Sequence, residues 1–284
     1  MKKHRATRAF AAFLLAVSII LSACGGTGQV AKPTDAADLI TKSQEAISKA
    51  KSSEADLNIS MGLGEIGSME MKGIIEDIKD PLQLHFLFDA KLSGLLAMAG
   101  DSMQIESFAE PDPSNSENII TYTRTQMGEE VEWEKSSQSK AEGNMASSAE
   151  SLSKMAEDVK DSLTLAEATE KIDGKELYVV TGTVKGSALE GTVAESFDVT
   201  GGMAEEAEFD FTAKYDAKTL LPHSIDMVMK PIDASSTEEV PEGLEMFGDV
   251  EITMNMNVLF KGFDTVKSIE IPQEAKDAPE STTE

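Results

Sequence analysis

The chain has 284 residues, a formal net charge of −26, 40% hydrophobic and 5% aromatic residues, and one cysteine. A single thiol excludes an intrachain disulfide, and three histidines beside it leave little for a zinc or copper(II) site. An excess of 51 acidic over 25 basic residues excludes nucleic acid as a charge-matched partner and electrostatic docking on anionic lipid.

The N-terminus carries Lys2, Lys3, Arg5 and Arg8, then an apolar run from Ala9 to Leu21, then Ser22, Ala23 and Cys24. That order is a secretory signal, too short for a spanning helix. An ordinary signal peptide that happens to contain a cysteine is one reading. The sharper one is that Leu21-Ser22-Ala23-Cys24 resembles the bacterial lipobox, in which the cysteine is diacylglycerylated and becomes the new N-terminus. Two acyl chains hold a protein on a membrane where one does not. Removing residues 1–23 leaves 21 basic against 51 acidic residues, a net −30, so the anchor would supply attachment while charge keeps the body off the lipid. Residues 24–33 then read as a flexible tether.

Beyond it, Thr34 is a candidate N-cap, and Ala36, Leu39, Ile40, Ala46, Ile47 and Ala50 fall on a helical stripe over about 35–51. The period then becomes two. Leu57 to Leu63, Leu82 to Leu92, Ala207 to Tyr215 and Val250 to Phe260 alternate apolar and polar residues, as strands with one wet face do. Glu132-Trp133 reads as part of a further strand. Asp173-Gly174 is a hairpin signal, Asp216 to Pro222 a turn, and Asp80-Pro81 a breaker. Residues 142–162 and 187–198 carry apolar residues at helical spacing. Residues 109–118, 201–206 and 231–248 read as loops, and the acidic stretch 273–284 as a disordered tail. The expected architecture is α+β: one domain, residues 34–272, dominated by an antiparallel meander.

Gly62-Leu63-Gly64-Glu65-Ile66-Gly67 matches the dinucleotide fingerprint G-x-G-x-x-G, with Asp89 beyond it. The preceding strand has a polar face, Gly73 would interrupt the following helix, and Glu65 and Glu70 would oppose a phosphate. A hairpin loop is the better reading. His85 and His223 lie in strand-like segments with no elbow or triad motif around them, and His223 follows a turn, as a solvated rim histidine would. No zincin, P-loop or EF-hand spacing occurs. The expectation is a non-catalytic chain with no cofactor and no metal site.

The methionines are more informative. Six of the fourteen left after signal removal form M-x-M pairs: Met69/Met71, Met227/Met229 and Met254/Met256. On a strand, spacing two puts both thioethers on one face. Three readings stay open: flexible core filling, an adaptable apolar cavity, and a soft copper(I) site.

The lipobox, the first helix leading into Ala55–Met61, the Glu132-Trp133 strand, the Tyr215–Pro222 turn and the closing Ile269-Glu270-Ile271-Pro272 together resemble a family of Gram-positive surface lipoproteins. Its broader class is the lipid carriers of the LolA and LppX/LprG type. The resemblance implies a strongly curved antiparallel sheet, an open half-barrel with helices packed on its concave face over an apolar cavity that holds lipid or acyl chains. Here that cavity would be lined by Met69, Met71, Phe86, Phe88, Phe209, Phe211, Met227, Met229, Met254 and Met256. The reading is a membrane-anchored extracytoplasmic lipoprotein that binds a hydrophobic ligand. Its alternative is an envelope interaction protein with a filled core, contacting protein partners through its acidic face.

Overall fold

A computed structural model describes residues 32–128, 130–139, 162–186, 207–233 and 250–280. Helix α1 (Ala36–Ile47) opens the domain. Its N-cap is Asp35, whose carboxylate accepts from the Asp38 amide at 2.8 Å. Thr34 stands one residue outside and donates its own amide back to Asp38 at 2.8 Å. This reciprocal arrangement satisfies two orphan amides at the helix start. The helix stops at Ile47, short of the expected 51, because the amides of Lys49 and Ala50 bond back at i−3 and the chain enters the first strand.

Among the described residues thirteen strands follow: β1 (Ser52–Leu63), β2 (Ser68–Lys79), β3 (Leu82–Leu92), β4 (Ser102–Pro111), β5 (Asn118–Met127), β6 (Glu130–Ser139), β7 (Leu163–Leu165), β8 (Glu170–Ile172), β9 (Lys175–Lys185), β10 (Glu208–Asp216), β11 (Pro222–Met229), β12 (Ile232–Asp233) and β13 (Glu251–Phe263). A four-residue helix, α2 (Gln273–Lys276), closes the described chain. The strands form one antiparallel sheet in the order β6-β5-β4-β3-β2-β1-β13-β11-β10-β9-β7, with β12 on β13 and β8 on β9. β1 to β6 is a meander, and the last strand returns beside the first.

Two expectations are corrected. The fold is mostly β rather than α+β, since among the described residues the only α-helices are α1 and α2. The sheet is open and not strongly curled. The physical reason lies in the ladders: β1–β2 and β2–β3 each pair eleven residues in unbroken register. Among the described residues, register shifts occur only at Glu54/Ala55 and Lys214/Tyr215. Tight coiling of a sheet depends on such bulges. The expected helices over 142–162 and 187–198 lie outside the described residues, apart from Ser162, as do the loop 201–206 and most of 231–248.

The turns follow their chemistry. Asp173 and Gly174 adopt φ of 50° and 80° in the two-residue β8–β9 hairpin, as a type I′ turn requires. At the β10–β11 turn Asp216 accepts from the amides of Lys218 and Thr219, both at 2.9 Å. The 62–67 glycine motif is the end of β1 and the β1–β2 loop, and its would-be helix is strand β2. Residues 273–280 are not a loose tail. Ala275 is fully buried, the Lys135 amide of β6 donates to Pro279 O, and Lys135 bridges to Glu280.

Candidate functional site

Pairing register places all ten candidate lining residues on one face of the sheet. Strand alternation sets the parity within each strand, and cross-strand pairing carries it from strand to strand. The row Met127–Met103–Ala90–Met71–Ile59–Met256–Met227–Phe211–Gly182–Leu163 runs directly across ten strands, every step a paired contact. Five of its ten members are methionines. In neighbouring rows of the same face, Phe88 pairs with Gly73, Phe86 with Ile75, Phe209 with Met229, and Met61 with both Met69 and Met254. All ten belong to one apolar cluster, in which Met69 and Phe211 are partly buried and the other eight buried. Ala36, Leu39 and Ile40 of α1 join that cluster.

The next row, one residue away on the opposite face, is Gln126–Gln104–Asp89–Lys72–Asn58–Asn257–Asp226–Thr212–Thr181–Thr164. Every side chain in it is polar. Asn257 donates to Asp226 at 2.6 Å, and Gln104 donates to Asp89 at 2.7 Å. The sheet is therefore a two-sided board, and the M-x-M pairs mark its apolar side.

That side becomes polar at one end. Ser53 and Asp77 face each other across β1 and β2, with Ser53 Oγ donating to Asp77 Oδ1. Both are fully buried. Burial pushes the Asp77 carboxyl up to about 7, against the opposing pull of the Ser53 hydrogen bond and the Lys79 charge. Asp77 Oδ2, Thr121 Oγ1 and Ser43 Oγ of α1 have no hydrogen-bond partner. Burial also raises the Tyr215 phenol, on the same face in β10, above its ordinary value.

The polar side holds a second constellation, which sequence inspection did not assemble. His85 Nδ1 lies 2.8 Å from Glu76 Oε2, and Nε2 lies 3.2 Å from Glu106 Oε1. The ring stacks on Phe108 at 4.4 Å and 9°, and Phe108 stacks on Trp133 at 6.3 Å. Arg124 Nε stands 3.7 Å from Glu106. Phe108, Ile120 and Tyr122 make a small apolar island on this side, covered by Ile269 and Ala275. Burial, then the hydrogen bond to Glu110, pushes the Tyr122 phenol up to about 12. The ring nitrogens of His85 thus face carboxylates rather than a nucleophilic hydroxyl. His223 is half-buried at the start of β11. Beside this network a depression of about 490 Å3 is lined by Glu70, Lys72, Asp89, Lys91, Gln104 and Gln126, among others. None of the ten methionine and phenylalanine candidates lines it. The strand parity of Glu76, His85 and Glu106 is legible in sequence, but their meeting depends on β2–β3 and β3–β4 registers that no local signal sets.

Among the described residues, no group of three or more His, Cys, Asp or Glu could hold a metal ion, and no helix is long and apolar enough to cross a membrane. Cys24 lies outside the described residues.

No curated protein matches the chain. Among solved structures, the chain is similar to the crystal structure of LprF from Mycobacterium bovis at 12% identity and a TM-score of 0.39, over 83% of this chain and 96% of that one. Residues 35–280 match the model of a family of unknown function, DUF6612, and the chain belongs to that family.

Proposed function

We propose that this protein is an envelope lipoprotein, anchored through acyl chains on Cys24, that holds a hydrophobic ligand against the methionine- and phenylalanine-lined face of its sheet, without catalysis. The observation that carries the reading is the convergence of all three M-x-M pairs and both F-x-F pairs on a single face. Thioether side chains are unbranched and polarizable, so they repack around acyl chains of differing shape where branched side chains could not. Acyl binding also needs no precise polar partner, only apolar surface withdrawn from water.

Native mass spectrometry of the purified domain, residues 25–284, tests it. A lipid-sized mass adduct that is removed by delipidation and replaced on adding palmitate is the expected result. A bare mass from several expression hosts, unchanged by palmitate, overturns it. Such a bare mass would support the second reading, an interaction lipoprotein with a filled core. That reading is favoured by the 1% exposure of both Phe86 and Phe88, which already have neighbours packed upon them.

The anchor has its own test. Cys24→Ala should move the protein from the membrane fraction to the soluble fraction or the medium. Retention of the variant on membranes would refute acylation at that residue.

A further inference from the structure

The β3–β4 connection, Ser93 to Asp101, contains seven consecutive residues without a polar side chain: Gly94-Leu95-Leu96-Ala97-Met98-Ala99-Gly100. Gly94–Ala99 winds as a 3-10 turn. Leu96 packs on the core, whereas Leu95 is 49% and Met98 84% exposed. At the same end of the sheet Met127 is 40% and Val131 53% exposed, and Met127 borders Gly100. Single exposed apolar residues need no explanation, but Leu95 and Met98 in the loop, with Met127 beside Gly100, gather on one rim and do.

The loop is also held firmly at its base. A Cβ on Gly67 would come within 2.0 Å of Ser93 O, and one on Gly94 within 2.5 Å of Ile66 O, so the two turns touch backbone to backbone. Gly67 and Gly94 have φ of 140° and 64°, conformations that favour glycine. Ser93 and Ser68 exchange further bonds, Ser93 N to Ser68 O at 2.9 Å and Ser68 N to Ser93 Oγ at 3.0 Å. Gly67 of the 62–67 motif and Gly94 thus brace an apolar tip whose outward side chains, Leu95 and Met98, are exposed.

We propose that this rim, led by Leu95 and Met98, dips into the bilayer surface to which the chain is tethered. Two observations favour lipid as the occupant. Eight residues lie between Cys24 and Pro33, nine peptide steps with a reach of about 30 Å, so a tethered domain samples the membrane at high effective concentration and shallow contacts suffice. The depression beside the loop carries Lys72 and Lys91 against Glu70 and Asp89, a balanced set that suits zwitterionic headgroups in a chain otherwise strongly acidic. The proposal rests on the anchored reading for the nearness of the membrane.

The test supplies the anchor chemically. The chain 24–284 has one thiol, so Cys24 can be coupled to a maleimide lipid in phosphatidylcholine vesicles carrying brominated acyl chains. With Trp133→Phe as background, Met98→Trp should give a blue-shifted emission quenched several-fold more than Lys218→Trp at the opposite end of the sheet. Adding Leu95→Asp should abolish most of that difference. Equal, weak quenching at both positions, with the fold intact by circular dichroism, overturns the proposal and assigns the rim to a protein partner. Because coupling bypasses cellular acylation, this result is independent of the Cys24→Ala fractionation.

Discussion

Phe88→Ala should lower the free energy of unfolding by about 3–5 kcal/mol, the largest loss expected from a single truncation in the apolar face. Phe88 is 1% exposed, and its ring lies over Gly73 of the neighbouring strand, where an added Cβ would fall 2.3 Å from the ring and 2.3 Å from Leu87 O. Glycine weakens a strand interior unless something occupies the space above it, and here the ring does. Gly73→Ala should therefore cost about 2 kcal/mol or more by overpacking. The two changes should couple, because removing the ring removes one of the two clashes. Urea denaturation of both singles and the double should give a coupling energy of about 1 kcal/mol. Strict additivity would show that the carbonyl alone excludes a side chain at position 73.

Asp77→Asn should stabilise the protein at pH 8 by about 2–4 kcal/mol and leave it nearly unchanged at pH 3. The Asp77 carboxyl rises from its ordinary 3.8 to about 7 on folding, chiefly through burial. Below the unfolded value both states are protonated and the residue costs nothing. Between the two values the folded chain keeps a proton that the unfolded chain releases, so stability falls as pH rises. Above about 7 the fold carries a buried charge whose Oδ2 has no hydrogen-bond partner, at a cost on the order of 4 kcal/mol. Asparagine keeps an acceptor for Ser53 and does not titrate. Urea midpoints for both proteins at the two pH values decide the matter, and a parallel pH dependence would show that Asp77 is not the group responsible. The neutral acid, not the carboxylate, is the form that suits this end of an apolar face.

Strands whose two faces differ sharply were legible. Leu82 to Leu92 keeps an apolar residue at every second position and is β3 residue for residue, and the Asp173-Gly174 hairpin and Asp216 turn announced themselves by side-chain chemistry. β4 and β5 were hidden for a physical reason. Phe108, Ile120 and Tyr122 point away from the main core into the small island under Ile269 and Ala275, so both faces carry apolar residues and the alternation blurs. The same contact explains the ordered C-terminus: residues 273–280 look polar and loose, but Ala275 and its neighbours cover a patch the sequence does not advertise. For the candidate site, M-x-M spacing correctly implied a shared face within each pair. That the three pairs share the same face follows only from long-range register, as does the His85 constellation. That the sheet is not strongly curled follows from long unbulged ladders, whose register no local signal sets.

The anchoring of residues 279 and 280 on Lys135 has a further consequence. An open sheet ends in a flank of unpaired amides and carbonyls, and such a flank templates foreign strands. Part of the outer border of β6 is occupied by the chain's own terminus, which spends those groups internally. Residues 279 and 280 thereby cover part of an edge that would otherwise be open to pairing with a second copy.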